Sequence, residues 1–230
     1  MTRQDPLSPA RTPDLRPLGS IARVATTLLF VSCAANLFAT WTDWRRYRVV
    51  ADYVAGEPGM GVADLVSADN LAMGAAWLTF LALAAAATVF LTWLWRARLN
   101  AERLCRAEHR RSRGWTIGAW FVPVVNLWFP RQVVDDIWRT SKPGVPADTY
   151  RVDGLGQSPL VRAWWYTILA DVLVVALPRI ETRGAVTIED LRSAALYGTV
   201  STLLLLVAAI LLSQVIRQVT HWHTIRREHR

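Results

Sequence analysis

Apolar residues fall into four long runs, at 21–41, 71–95, 160–178 and 194–216, separated by polar, glycine- and proline-marked stretches. At 1.5 Å per helical residue, runs of roughly 20 match a hydrocarbon core about 30 Å thick, so each predicts a membrane-crossing helix. Ahead of the first run, residues 1–20 hold Pro6, Pro9, Pro13 and Pro17 among polar residues, which predicts a disordered tail. Trp44, Tyr47, Val50, Ala51 and Val54 continue at helical spacing beyond the first run, before a break at 56–61. Asp69 or Asn70 is placed to cap the second run, whose alanines at 82–87 offer a face for close helix packing. Thr187 and Asp190 have the spacing of a capping box ahead of the fourth run. A basic tail follows at 217–230.

The stretch at 114–130 has a different pattern. It is apolar enough for a membrane but carries Pro123 and Pro130 and is short for a crossing helix, so a re-entrant or interfacial segment over 114–140 is expected between the second and third spans. Over 131–140, Val133, Val134, Ile137 and Trp138 fall on one side of a helix and Asp135, Asp136 and Arg139 largely on the other. That is an interfacial pattern with a solvated acidic face.

Charge decides between topologies. If 114–140 turns back, 20 of the 26 Lys and Arg lie on one side of the membrane; if it crosses, the split is 14 to 12. Short loops keep their bases on the cytoplasmic side, so the expected fold is an all-α membrane protein of four spans arranged as two in-out-in hairpins, with both termini cytoplasmic. Asp64-Leu-Val-Ser-Ala68 before the second span faintly echoes Asp190-Leu-Arg-Ser-Ala194 before the fourth, as a repeat of two hairpins would.

Composition sharpens this picture without changing it. The chain is 53% hydrophobic with 12 tryptophans and a net charge of +8, and Lys142 is its only lysine. Arginines clustered beside apolar runs read as membrane flanking and not as a nucleic-acid surface. The block at 96–113 holds seven arginines and two acids, with Glu102 placed to pair with Arg98 and Arg106. It is a solvated extension or a site for anionic lipid headgroups. Cys33 and Cys105 sit in unlike surroundings, so no disulfide is expected.

With Trp115, Gly118, Trp120-Phe-Val-Pro123, Asn126, Trp128, Pro130 and Asp136-Ile-Trp-Arg139 in view, the chain resembles the bacterial domain-of-unknown-function 4328 family across about 21–217. Ala119 stands where that pattern has glycine. The resemblance implies a multi-pass bacterial membrane protein with no assigned activity, and the expected location is the inner membrane.

Asp171 is the costliest residue in this plan, because a carboxylate near the bilayer centre costs at least roughly 2.5–3.5 kcal/mol unless paired, protonated or wetted. Asn36, Asn126 and Gln214 are its candidate neighbours. The group serves an ion relay or a polar ligand, or else an interhelical hydrogen bond. Trp115, Trp120, Trp128 and Trp138 line an aromatic groove for lipid or peptide, or follow tryptophan's preference for headgroups. His109, His221, His223 and His229 lack metal-site spacing, and no hydrolase, zinc-protease or phosphate-loop motif occurs, so neither metal, cofactor nor catalysis is expected. The expected role is a lipid- or protein-interacting membrane module; the alternative is a small channel or transporter subunit, with Asp171, Asn126 and Asn36 in a wet cavity and a homo-oligomer completing the pathway.

Overall fold

The computed structural model describes residues 15–181 and 187–228. The expected tail at 1–14 and His229 lie outside them. Six α-helices follow in order: α1 (Gly19–Val54), α2 (Val62–Leu104), α3 (Trp115–Gly118), α4 (Phe129–Ser141), α5 (Pro159–Glu181) and α6 (Ile188–Glu228), with 3-10 turns at Val125–Leu127 and Val152–Gly154. Among the described residues there is no strand, only one bridge between Glu108 and Arg151. α1, α2, α5 and α6 are long and apolar enough to cross a membrane, which indicates a multi-pass membrane protein.

Helix ends differ from expectation where local chemistry is stronger than the hydropathy pattern. α2 begins at Val62 and not near Leu71, because the Asp64 carboxylate reaches back to the Gly61 N–H at 2.9 Å. Asp69 is then free to pair with Arg46 of α1 at 2.6 Å. Gly56 and Gly59 turn the chain between α1 and α2 at φ +74° and +88°, values that a residue with a Cβ rarely adopts. At α6 the expected cap is present, with the Asp190 N–H donating to Thr187 Oγ1 at 3.2 Å and the Thr187 N–H donating to Asp190 Oδ2 at 2.7 Å. α6 continues through the basic segment to Glu228 as one helix.

The helices lie in the neighbour order α2–α1–α6–α5. α1 and α6 run antiparallel, since Cys33 meets Leu205, Asn36 meets Thr202 and Thr40 meets Gly198. α1 and α2 are antiparallel too: Arg46 pairs with Asp69, while Asn100 near the end of α2 holds the backbone of Arg16 just before α1 through two hydrogen bonds. Leu15 and Leu18 are buried there, so the final residues of the expected tail are docked. The start of α1, the end of α2, the start of α5 and the end of α6 therefore share one end of the bundle. α3 and α4 pack at this end, which we term the charged end.

The core is concentrated at that end. Trp93, Leu94 and Ala97 of α2, Val133 and Ile137 of α4, Val161 and Trp164 of α5, and Val215 and Ile216 of α6 form one buried cluster. Farther away the helices leave Trp77, Phe80, Leu81, Leu173 and Leu203 exposed. Only 17–39% of each apolar window is buried inside the protein. Exposed apolar rings around a bundle are the surface that lipid covers.

Candidate functional site: an intramembrane cavity beside a charged end

Along α1, Leu29, Ser32, Cys33 and Asn36 recur at spacings of three and four and so share one face; Leu205, Ala208, Ala209 and Leu212 do the same on α6. These two faces floor a cavity of about 220 Å³, with Thr79 and Leu83 of α2 on one flank and Trp164, Ile168 and Asp171 of α5 on the other. Ala208 and Ala209 leave the room that larger side chains would fill. The walls are mainly apolar. Ser32 and Thr79 each donate their hydroxyl to a backbone carbonyl of their own helix, Leu29 and Ala75 respectively.

Two polar groups remain, Asn36 and Asp171. The Asn36 amide donates to Thr202 Oγ1 at 2.8 Å, and Thr202 shares a 2.8 Å hydrogen bond with Thr40, so one end of a polar seam between α1 and α6 opens on the cavity. Asp171 Oδ1 accepts from Ser201 Oγ at 2.6 Å. No basic side chain lines the cavity. Asp171 lies about 18 Å along α5 from Pro159 at 1.5 Å per residue.

Of the expected neighbours of Asp171, only Asn36 lines the same cavity. Asn126 sits in the 3-10 turn at Val125–Leu127 and Gln214 on an exposed face of α6; neither lines the cavity. Gln214 is turned out because Leu212, Val215 and Ile216 take the inward positions. The Asp171 partner is Ser201, which the sequence offered only as a hydroxyl in an apolar run.

An aromatic cluster closes the cavity toward the charged end. Trp164 contacts Trp165 and Trp120, and Trp120 stands edge-on to Phe90, which stacks on Trp93. Trp120 thus wedges between α2 and α5, the two helices with no direct seam in the row. Ala119 beside it is fully buried, so a methyl group is accommodated where glycine was expected. The Trp165 indole donates to the Leu127 carbonyl at 2.9 Å, which pins the following turn to α5. Between these anchors Phe121, Val122, Pro123 and Val124 are exposed. Val124 has φ +66° and ψ −56°, and the Val125 N–H donates to the Pro123 carbonyl at 2.7 Å, a strained γ-turn. Trp128 is also partly exposed. Trp115 meets Phe129 edge-on one turn after Arg111 stacks over that ring at 3.7 Å, and Gly118 ends α3.

The acidic face of α4 needs correction. Asp135 and Asp136 are 2% and 0% exposed, not solvated, and Trp138 and Arg139 are buried beside them. The cause is Arg110 from the segment after α2, whose guanidinium pairs with Asp136 at 2.6 Å and Asp135 at 3.1 Å. Asp135 also pairs with Arg139 at 2.6 Å and accepts the Ser158 N–H at 3.0 Å. Burial by itself would lower the Arg110 pKa, but its hydrogen bond to Asp136 and the two carboxylate charges raise it. Pro130 is the second residue of α4, in the first turn, where its missing N–H costs nothing. Trp138 donates to Gln218 of α6 at 2.9 Å. α4 is therefore a buried strut between α2, α5 and α6.

The arginine block is likewise spent in part on the protein itself. Glu102 pairs with Arg98 and with Arg113, both at 2.7 Å, and not with Arg106. Arg111 donates to Gln132 at 2.9 Å. His109 is enclosed with both ring nitrogens unpartnered, and burial, with Arg98 and Arg110 adding repulsion, lowers its pKa to about 3. His223, two residues from His221, is committed elsewhere, sharing a 2.7 Å hydrogen bond with Ser141. Among the described residues no cluster of His, Cys, Asp or Glu has the geometry for a metal ion, and both cysteines are free thiols.

The family model for a domain of unknown function, DUF4328, matches residues 56–221. The chain belongs to the DUF4328 family. No curated protein and no solved structure matches it. The DUF4328 match starts later than the expected 21 and leaves out α1 up to residue 55, and with it Asn36 and half the cavity floor. It contains Asp171, the aromatic wedge and the whole Arg110–Asp135–Asp136–Arg139 network.

Proposed function

We propose that this DUF4328 protein is a bacterial inner-membrane module that holds an amphiphilic, lipid-class molecule in the cavity between α2 and α5, with Asp171 and Asn36 binding its polar part. In this reading α1–α2 and α5–α6 are two in-out-in hairpins, both termini and the charged end are cytoplasmic, and 114–140 enters the interface and returns. The exposed Phe121 and Val124 at its tip support that placement, because water would not favour them.

The carrying observation is one carboxylate and one amide sharing a cavity with mainly apolar walls. A single hydrogen bond from a hydroxyl to an ionised group is worth roughly 1.5–3 kcal/mol, comparable with the insertion cost of the carboxylate. Ser201 thus lets Asp171 exist there, and a donor on a bound molecule adds stability to the occupied state. An engineered apolar cavity of roughly 150 Å³ takes benzene, so a volume of about 220 Å³ suits a segment of a larger amphiphile. A channel or transporter subunit would need a polar path from the cavity to the charged end. Trp164, Trp165, Trp120, Phe90 and Trp93 occupy that route, which favours binding over conduction.

The test is native mass spectrometry of the full chain extracted in mild detergent. Wild-type protein should carry an adduct of lipid mass; Leu83→Trp, which fills the mouth from a half-exposed position, should lose it, and Asp171→Asn should retain the fold by circular dichroism while holding several-fold less. Equal adduct levels in all three proteins would overturn the reading.

A further inference from the structure

On the opposite side of the α1–α6 seam from the Asp171 cavity, we infer a binding site for the phosphate headgroup of an anionic membrane lipid, formed by Arg23 of α1 and Arg217 of α6. Both line a groove of about 680 Å³ at the charged end, together with Thr27, Phe30, Thr220 and His221. The antiparallel register that sets Asn36 against Thr202 and Thr40 against Gly198 also brings Arg23 level with Arg217. Two guanidinium groups from different helices therefore converge on one opening.

No carboxylate lines the groove. Among the described residues neither Arg23 nor Arg217 has an ion-pair partner, whereas Arg98, Arg110, Arg113 and Arg139 are all paired. Like charges facing each other across a helix seam repel, and an anion between them removes that repulsion and gains two charge-assisted contacts. Guanidinium forks suit phosphate oxygens, and the Thr27 and Thr220 hydroxyls add donors.

The position selects a lipid over a soluble anion. Below the two arginines the exposed surface turns apolar, with Val24, Phe30 and Val31 on α1 and Val207 and Ile210 on α6. Phe30 belongs to the groove itself, so its lower wall offers acyl contact directly beneath the charge. Phosphate above and hydrocarbon below is the layout of a phospholipid at the headgroup boundary. The arginine block at 96–113 was the sequence-based candidate for this role, but four of its seven arginines, Arg98, Arg110, Arg111 and Arg113, are engaged by Glu102, Asp135, Asp136 and Gln132.

The experiment titrates the full chain in non-ionic detergent with dioleoyl phosphatidylglycerol or dioleoyl phosphatidylcholine and counts bound lipid by native mass spectrometry. Phosphatidylglycerol should bind in preference, and Arg23→Gln with Arg217→Gln should weaken it about tenfold or more while leaving phosphatidylcholine unchanged. Arg23→Lys with Arg217→Lys, which keeps the charge, should retain most of it. Arg106→Gln with Arg131→Gln, an equal charge loss elsewhere, should have little effect. Adducts removed by Leu83→Trp belong to the other cavity and should survive the Arg23/Arg217 change, so the two sites fail separately. The inference is overturned if wild-type protein holds both lipids equally, if the Arg106/Arg131 pair lowers binding as much, or if millimolar inorganic phosphate displaces phosphatidylglycerol, which would make it a site for soluble anions.

Discussion

Single residues at the charged end show how burial redirects ordinary chemistry. Asp135 and Asp136 are adjacent carboxylates that would repel in the interior, and Arg110 and Arg139 make the pair tenable by contacting them within 2.6–3.1 Å. Such networks are costly to break, since a lone buried charge is left behind. His109 sits against the same cations without a partner of its own and is neutral in the fold, with a pKa lowered to about 3 from an ordinary 6.5. Its folded pKa is depressed, so the folded state binds fewer protons than the unfolded chain at mildly acid pH. The stabilising effect of that neutral ring is intact above about pH 6.5 and is lost as pH falls from there toward 3. Between pH 7 and 5 the loss amounts to about 2 kcal/mol at roughly 1.36 kcal/mol per pH unit below the unfolded pKa. Thermal unfolding in detergent should therefore show wild-type protein weakening over that interval and His109→Phe weakening by that much less; identical pH slopes would mean His109 does not titrate on unfolding.

At the scale of elements, the four long helices were legible in the sequence because apolar runs of membrane length admit few alternatives. Asp171 and Asn36 line one cavity, but each hydrogen-bonds a hydroxyl of α6, Ser201 and Thr202, that the hydropathy pattern does not single out. What the pattern could not reveal was the role of α4. Its alternation of Val133, Val134 and Ile137 with Asp135, Asp136 and Arg139 is that of a helix lying at a water boundary, and the partner that internalises those charges, Arg110, is in a loop with no periodicity to place it. Asn126 and Gln214 were misassigned for a related reason: a polar residue's depth can be read from its run, but the face it occupies depends on neighbours such as Leu212 and Val215. The segment from α3 to α4 carries its own prediction. Its tip is apolar, exposed and strained at Val124, so a lipid environment suits it better than water. With Cys33 and Cys105 replaced by Ser, Val124→Cys should react readily with a lipid-soluble maleimide and slowly with a charged one, while Asp148→Cys in the exposed loop after α4 should react with both. Fast labelling of Val124→Cys by the charged reagent would place the tip in water.

For the whole molecule, every element at the charged end bears on sidedness. Asn100 binds the backbone of Arg16 and meets His223 of α6, Arg110 after α2 pairs with Asp135 and Asp136 of α4, and Trp138 donates to Gln218, so the start of α1 and the ends of α2 and α6 are tied to α4 and to one another. These contacts keep 131–162 at the same end of the bundle as the start of α1, and the proposed topology, which puts that end on one side of the membrane, gathers 20 of the 26 basic residues there. Charge distribution and packing are separate constraints, one acting during insertion and the other in the finished fold, and both favour the proposed topology. The Gly56–Gly61 turn, by contrast, lies at the far end of α1, a helix of 36 residues or about 54 Å at 1.5 Å per residue, ample to separate the two surfaces of a bilayer. A reporter enzyme active only outside the cytoplasm should thus be silent when fused after Ser158 and active when fused after Glu57. Activity at Ser158 would require 114–140 to traverse the membrane, and the Arg110 ion pairs with Asp135 and Asp136, which join the segment after α2 to α4, could not then form.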